Sequence, residues 1–430
     1  MMQPGFFSKL TITATGLFFL FLSCKSPASK EVTLTNPLAV ERQDELIVLT
    51  KSIIETKIGT IPPGKFVLVT TKHDTPILVQ YDDMDSDGNW DELAFLYSFK
   101  PEEKVDLSLS VADAPAPIKA IVRAHARHKR KNADDSFGND LRKDSIPAGQ
   151  PATDFARQAY PPFLTEGPAW ENDKVGFRLY FDTRNGKDIW GKTTSKMMMD
   201  EVGLDTANNY HQPADWGMDI LKVGKSLGAG ALALSIPVEN GRDTLARLGG
   251  MNMGKVIYEK IADGPVRAII RFHYPEWKVL DSLTPVSLTE EISIWGGQYF
   301  YESKVTVSGA PVNAELVTGI VNLHSKESHF IDTADHKILY TYDKQSENQD
   351  ELGMGIVVPA DSFIRWFKTP NEATDIQNTY GISLELTQGQ PVIFRFYAGL
   401  GKSDEAFLSQ IKFAGYLKRQ ASFWSKSIKF

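Results

Sequence analysis

The stretch Tyr210-His-Gln-Pro-Ala-Asp-Trp-Gly-Met-Asp-Ile-Leu-Lys-Val-Gly-Lys-Ser-Leu-Gly228 brings Tyr210, His211, Asp215, Trp216, Asp219, Lys222 and Lys225 close together in the chain. A histidine beside a tyrosine and carboxylates can take or give a proton near neutral pH. A lysine in the same place can neutralise a carboxylate on a substrate. Glycines within the stretch let the backbone turn tightly around these groups. Two other readings compete: a loop holding a satisfied histidine and surface lysines, and a metal bound through His211, Asp215 and Asp219, whose spacing is not diagnostic.

Asp83-Met-Asp85-Ser-Asp87-Gly88-Asn-Trp-Asp91 carries carboxylates at the first, third, fifth and ninth positions of a calcium loop, with the glycine at the sixth. Its twelfth position is Ala94 in place of the bidentate glutamate, so a structural Ca2+ site and an acidic hairpin turn both fit. Gly224-Lys-Ser226-Leu-Gly228 matches the G-x-S-x-G pattern of a serine hydrolase, but the residues after it read as a tight turn into a strand, where the elbow needs a helix. A phosphate-binding loop is excluded because its first glycine would fall at Asp219.

Lys9, the apolar run Leu17 to Leu22 and then Ser23-Cys24 read as a secretory signal over residues 1–23. Cys24, the one cysteine in the chain, stands where an envelope lipoprotein is cleaved and lipidated. A lipidated tether over 24–35 and a periplasmic or outer-membrane location follow as expectations.

These groups must be positioned by a β-rich chain of 430 residues, with 47 basic against 54 acidic residues and a formal charge of −7, which disfavours nucleic acid as a partner. Short alternating runs such as Phe66 to Thr71 and Leu93 to Tyr97 predict a small β domain over 36–123. Residues 124–156, with His125, Arg127, His128, Lys129, Arg130 and Lys131, lack apolar periodicity and read as a linker or long loop. That basic cluster is expected to be solvated, or to meet an anionic glycan. Over 157–430 period-two strands return: Val175 to Asp182, Val266 to Tyr274 and Val392 to Ala398 each set an apolar face against one bearing Arg, His or Tyr. Ser403-Asp404-Glu405 reads as a helix start, with Phe407, Leu408, Ile411 and Ala414 on its buried face.

Glu166-Gly-Pro-Ala-Trp170-Glu171-Asn172-Asp173 through Asp182, together with Tyr210-His211 and Trp216-Gly-Met-Asp219 through Gly228, resembles a family of envelope proteins catalogued as a domain of unknown function and found with bacterial polysaccharide degradation. Some of its members resemble the ulvan-oligosaccharide dehydratases of marine bacteria. The resemblance implies a large antiparallel β-supersandwich like those of aldose mutarotases and some polysaccharide lyases. It also implies a lyase that removes water across C4 and C5 of a terminal uronic acid in an anionic oligosaccharide, with no cofactor for catalysis.

Such chemistry needs a cation on the carboxylate, a base for the C5 proton and an acid for the departing hydroxyl. Arg178 and Arg271 are bidentate candidates for the cation and Lys222 is the alternative; His211 is the candidate base or acid, with Tyr180 or Tyr210 as its counterpart. Trp170 and Trp216 would stack on sugars or serve the core, with Glu171 and Asp219 beside them. His324, two residues after Asn322 and expected on the same strand face, is a second histidine candidate. A mutarotase or epimerase on the same fold and a non-catalytic glycan-binding lipoprotein are the other readings.

Overall fold

A computed structural model describes Met1 and residues 30–430, apart from 206–208, 239–241, 282 and 373. The signal segment and Cys24 lie outside the described residues.

The molecule is mainly β. Nine antiparallel strands form the largest sheet, in the order His329–Asp332, His336–Asp343, Leu352–Pro359, Pro391–Leu400, Phe300–Ser308, Val286–Trp295, Arg267–Trp277, Val256–Ala262 and Lys143–Ile146. Two five-stranded sheets cover its inner face. One runs Arg242–Arg247, Ala229–Val238, Glu315–Val321, Thr379–Glu385 and Phe363–Lys368; the other runs Gly217–Asp219, Lys187–Lys192, Gly176–Leu179, Ala169–Asn172 and Ala124–Arg127. The alternation seen in the sequence sets this arrangement: Ala268, Ile270, Phe272 and Tyr274 from the large sheet meet Phe177, Ile189, Leu232, Leu316 and Ile382 in one continuous core.

The helix Gln410–Ser425, capped by Ser409, packs on the outer face of the large sheet. It fits because Gly353 and Gly355 alternate with the core-facing Leu352, Met354 and Ile356: a Cβ at either glycine would come within 3.0 Å of Phe413 or Leu417. The helix therefore begins later than expected and buries a different face, Phe413, Tyr416, Leu417, Ala421 and Phe423, while Leu408 and Ile411 are exposed. Asp404 caps a separate short turn, Glu405–Phe407.

Residues 30–112 build two three-stranded sheets around their own core, from Val32 and Leu34 to Leu109, closed by Ile428 from the chain end. Lys30–Thr35, expected to belong to a tether, instead pairs as a strand with Lys104–Leu109. The expected linker at 124–156 contributes Ala124–Arg127 to a five-stranded sheet and Lys143–Ile146 to the nine-stranded one. Its polar runs misled because Arg127 and His128, both fully buried, have polar partners within the fold. Arg127 binds backbone carbonyls of Leu164, Gly167 and Met199, and His128 meets Asp144 at 2.7 Å.

Candidate active site

Three short strands carry the central charges. Arg178 lies directly across from Asp188, and Asp219 lies across from Trp190 on the next strand. Gly217 makes that last pairing possible, since at its φ of 128° a Cβ would sit 1.8 Å from the Gly191 carbonyl oxygen. Arg178 Nη2 donates to Asp188 at 2.7 Å, to Asp219 at 2.6 Å and to the Tyr180 hydroxyl at 2.8 Å. The Tyr180 hydroxyl in turn donates to Asp188 at 2.7 Å. Burial works against the Arg178 charge, but Asp219, Tyr180 and Asp188 hold it well above the usual guanidinium value. One guanidinium cannot fully compensate two buried carboxylates. Burial first, and then the Asp219 charge, push the Asp188 carboxyl up to about 7.

Against this buried cluster opens a cavity of about 340 Å3, lined by Tyr180, Arg184, His211, Asp219, Lys222 and Glu347 among others. His211 stands half exposed at its edge, with Nδ1 3.2 Å from Asp219 Oδ2. That contact raises the imidazole above its ordinary value against the opposing effect of burial. It also favours the tautomer with the proton on Nδ1, leaving Nε2 to accept a proton from a substrate. Burial pushes the Tyr180 phenol well above its ordinary value, so it is a proton donor and not a phenolate. Lys222 is exposed and forms no ion pair among the described residues.

The expected site residues divide along these lines. Tyr180, His211, Asp219 and Lys222 share the cavity. Arg178 lies behind it, fully buried and occupied by carboxylates, and is not open to a substrate carboxylate. Tyr210 lies against His211 at 4.4 Å with its ring tilted and faces a neighbouring cleft. Trp216 packs against Trp190 and lines a further cleft. Trp170 is core, stacked on Phe177, and Glu171 is fully buried, where it pairs with Lys192 and accepts from the amides of Met198 and Met199.

Arg271 belongs to the outward face of the large sheet, between Glu259 and Glu291, because Ile270 and Phe272 take the inward positions. His324 follows the end of the strand Glu315–Val321 and reaches the cavity only through Glu347, 3.3 Å from its Nε2. Asp215 is exposed and does not join His211 and Asp219 in a metal-sized group.

Sequence reasoning missed Arg184 and Glu347. Arg184 lies over the Tyr180 ring at 4.0 Å and is held by Asp182 at 2.5 Å and Glu166 at 2.6 Å. Glu166 follows Thr165, and both adopt left-handed backbone, with φ of 65° and 48°. Such residues cost about 1–3 kcal/mol each and persist only where their surroundings fix them. Here buried Arg127 binds the Leu164 carbonyl and the Thr165 hydroxyl, and Arg178 binds the Thr165 carbonyl.

Ser226 is buried; its hydroxyl donates to the Val223 carbonyl and accepts from the Gly228 amide in the turn that leads into Ala229–Val238, so the G-x-S-x-G stretch is not a nucleophile elbow. In the Asp-rich turn, carboxylate oxygens of Asp83, Asp85 and Asp91 lie within 4.8 Å of one another, without Asp87. Each of the three accepts from backbone amides of the same turn.

A β-supersandwich with a cation-bearing polar cavity on one of its smaller sheets is the class that fold and geometry define. Within that class, residues 34–429 match the family described as a domain of unknown function, DUF4861, and the chain belongs to it. It is 24% identical over 360 residues to an uncharacterized protein, P7, of Formosa agariphila, covering 79% of this chain and 78% of that one. Among solved structures it is similar to a glycosyl hydrolase family 38 protein from Enterococcus faecalis, with a TM-score of 0.52 at 10% identity over 93% of this chain and 47% of that one. An α-mannosidase from Enterococcus faecalis V583 gives a TM-score of 0.49 at 9% identity, over 93% and 45%. This chain spans less than half of either solved chain, and at these identities the likeness is one of fold.

Proposed function

We propose that the protein is a carbohydrate-active dehydratase that eliminates water across C4 and C5 of a non-reducing-end uronic acid in anionic oligosaccharides such as ulvan fragments. The observation that supports it is the meeting of Lys222, His211 and Tyr180 on one cavity. Lys222, with Arg184 nearby, neutralises the substrate carboxylate and so lets charge develop on it as C5 loses its proton. His211 Nε2 takes that proton, the C5–H electron pair forms the C4=C5 bond, and the C4–O bond breaks. Tyr180 gives its proton to the departing oxygen, which leaves as water. Solvent then takes the proton from His211 and returns one to Tyr180, so the products are the unsaturated uronate and water.

A second reading keeps one specific observation: His211 and Glu347 on the same cavity would serve as acid and base for a mutarotase, which needs no cation and no leaving-group acid. Reducing the substrate carboxyl to an alcohol separates the two. Dehydration is abolished by the reduction; equal turnover of the reduced sugar favours the mutarotase.

A lipid anchor at Cys24 would hold this activity at the periplasmic or outer-membrane face. Cys24→Ser is expected to release the protein from the membrane fraction without acyl label, and a variant still labelled and membrane-bound would refute the anchor.

A further inference from the structure

His211 belongs to two cavities of opposite character. On one side are the charged groups Arg184, Lys222, Asp219 and Glu347. On the other is a cleft of about 250 Å3 whose wall is mostly aromatic and apolar, Phe155, Ala159, Tyr160, Pro161 and Tyr210, with Asp205 and Asn209 at its polar side and no lysine or arginine among the described residues of its lining. By itself that volume is below the ~300–1,000 Å3 usual for small-molecule sites, whereas the two spaces together fall within the range.

The aromatic wall is fixed relative to the charged cavity. Gln150 at the base of the segment accepts from the Thr183 amide, next to Arg184. At the other end Leu164 donates to the Lys129 carbonyl. Between them Asp154 accepts from Ala156, Arg157 and Gln158, forming a turn that presents Phe155, which is 53% exposed. Tyr160 is held edge-on by Phe137 at 5.9 Å. Tyr210 closes the cleft against His211.

A ligand lying across His211 must therefore be charged at one end and present an apolar face at the other. We propose that the aromatic cleft binds the pyranose glycosidically linked to the terminal acidic sugar, stacking its C–H face on Tyr160 and Phe155, so that the preferred substrate is at least a disaccharide and not the free acid. This rests on the uronate reading of the charged cavity. Taking the range known for aromatic pairs as a guide, each ring should add about two- to tenfold in affinity.

The test compares the free uronic acid with a disaccharide carrying that acid at its non-reducing end, in wild type, Phe155→Ala, Tyr160→Ala and Tyr160→Phe. Wild type is expected to favour the disaccharide in kcat/KM by about tenfold or more, in keeping with two rings. The preference should shrink in both alanine variants, through KM more than kcat, and return in Tyr160→Phe. Phe155 is exposed, so its variant folds even if Tyr160→Ala does not. Equal use of the two substrates by wild type, or a preference that survives Phe155→Ala undiminished, would overturn the proposal while leaving the elimination chemistry intact. If neither sugar is dehydrated, the chemical reading fails separately and calorimetric titration decides the cleft. Tighter binding of the disaccharide, weakened by Phe155→Ala, supports it; equal binding of both sugars overturns it.

Discussion

His211 and Asp219 are the residues on which the proton chemistry turns, and their 3.2 Å contact makes two separable predictions. Removing a proton-transfer group costs about 10²-fold or more in turnover, so His211→Ala should fall by that amount in kcat with a smaller change in binding. A near-normal His211→Ala enzyme would remove it from the mechanism. As a base, His211 must be neutral. Because Asp219 raises it above its ordinary value, kcat/KM should climb with pH through a midpoint above about 6.5. In Asp219→Asn that midpoint should move down, and a limb that stays put would assign the titration to another group. Much of this constellation was legible in the sequence, because Tyr180, His211, Asp219 and Lys222 carry their chemistry in their residue types. Arg178 was misjudged for a physical reason: alternation identified a polar strand face, but that face is itself buried, with Asp188 and Asp219 folded over it. Glu347 gave no signal, since it enters from a distant loop pinned by its amide to the Ile220 carbonyl.

At the scale of elements, the strand Ala124–Arg127 is clasped to its surroundings by charge. His125 lies 3.0 Å from both Asp200 and Asp263 and is 16% exposed, while Lys260 reaches Asp263 at 2.7 Å. Burial opposes the His125 charge, but the two carboxylates prevail and raise it to about 9. A group raised on folding stabilises fully below its unfolded value of about 6.5 and loses that contribution as pH rises through the folded value. The clasp should thus contribute on the order of 3 kcal/mol at most in mild acid and little above pH 9, the value given by its raised imidazole. His125→Asn should lower Tm clearly below pH 6.5 and by much less above that folded value; an equal loss at both would make His125 a packing residue only. The sequence predicted a loop here because its charges resemble a solvated surface. What it could not reveal is that the partners Asp200 and Asp263 lie on other segments. By contrast, the sandwich strands Arg267–Trp277 and Pro391–Leu400 were readable, since one face of each meets the common core and period two survives in the sequence.

Over the whole molecule, the N-terminal unit is fastened to the rest by Arg123 on Asp44, by Arg42 on the Phe423 and Lys426 carbonyls, and by Arg267. This residue is 6% exposed and pairs with Asp82 at 2.7 Å and Glu92 at 2.5 Å, while Gln80 accepts from the Val266 and Arg267 amides. The unit therefore braces the end of an interior strand of the large sheet, and the cavity lies on a separate small sheet, framed by short strands and turns. Such a division, a rigid scaffold with chemistry on its loops and strand ends, suits an enzyme acting on a flexible glycan. The most direct measurement of the central claim is incubation of the protein with an oligosaccharide ending in a uronic acid, followed by ultraviolet absorbance of the conjugated enoate together with product mass. Rising enoate absorbance with loss of one water per oligosaccharide is expected, and neither in Lys222→Ala at matched concentration and time. Persistent absence of the enoate with wild type, or altered anomeric configuration at unchanged mass, would contradict it.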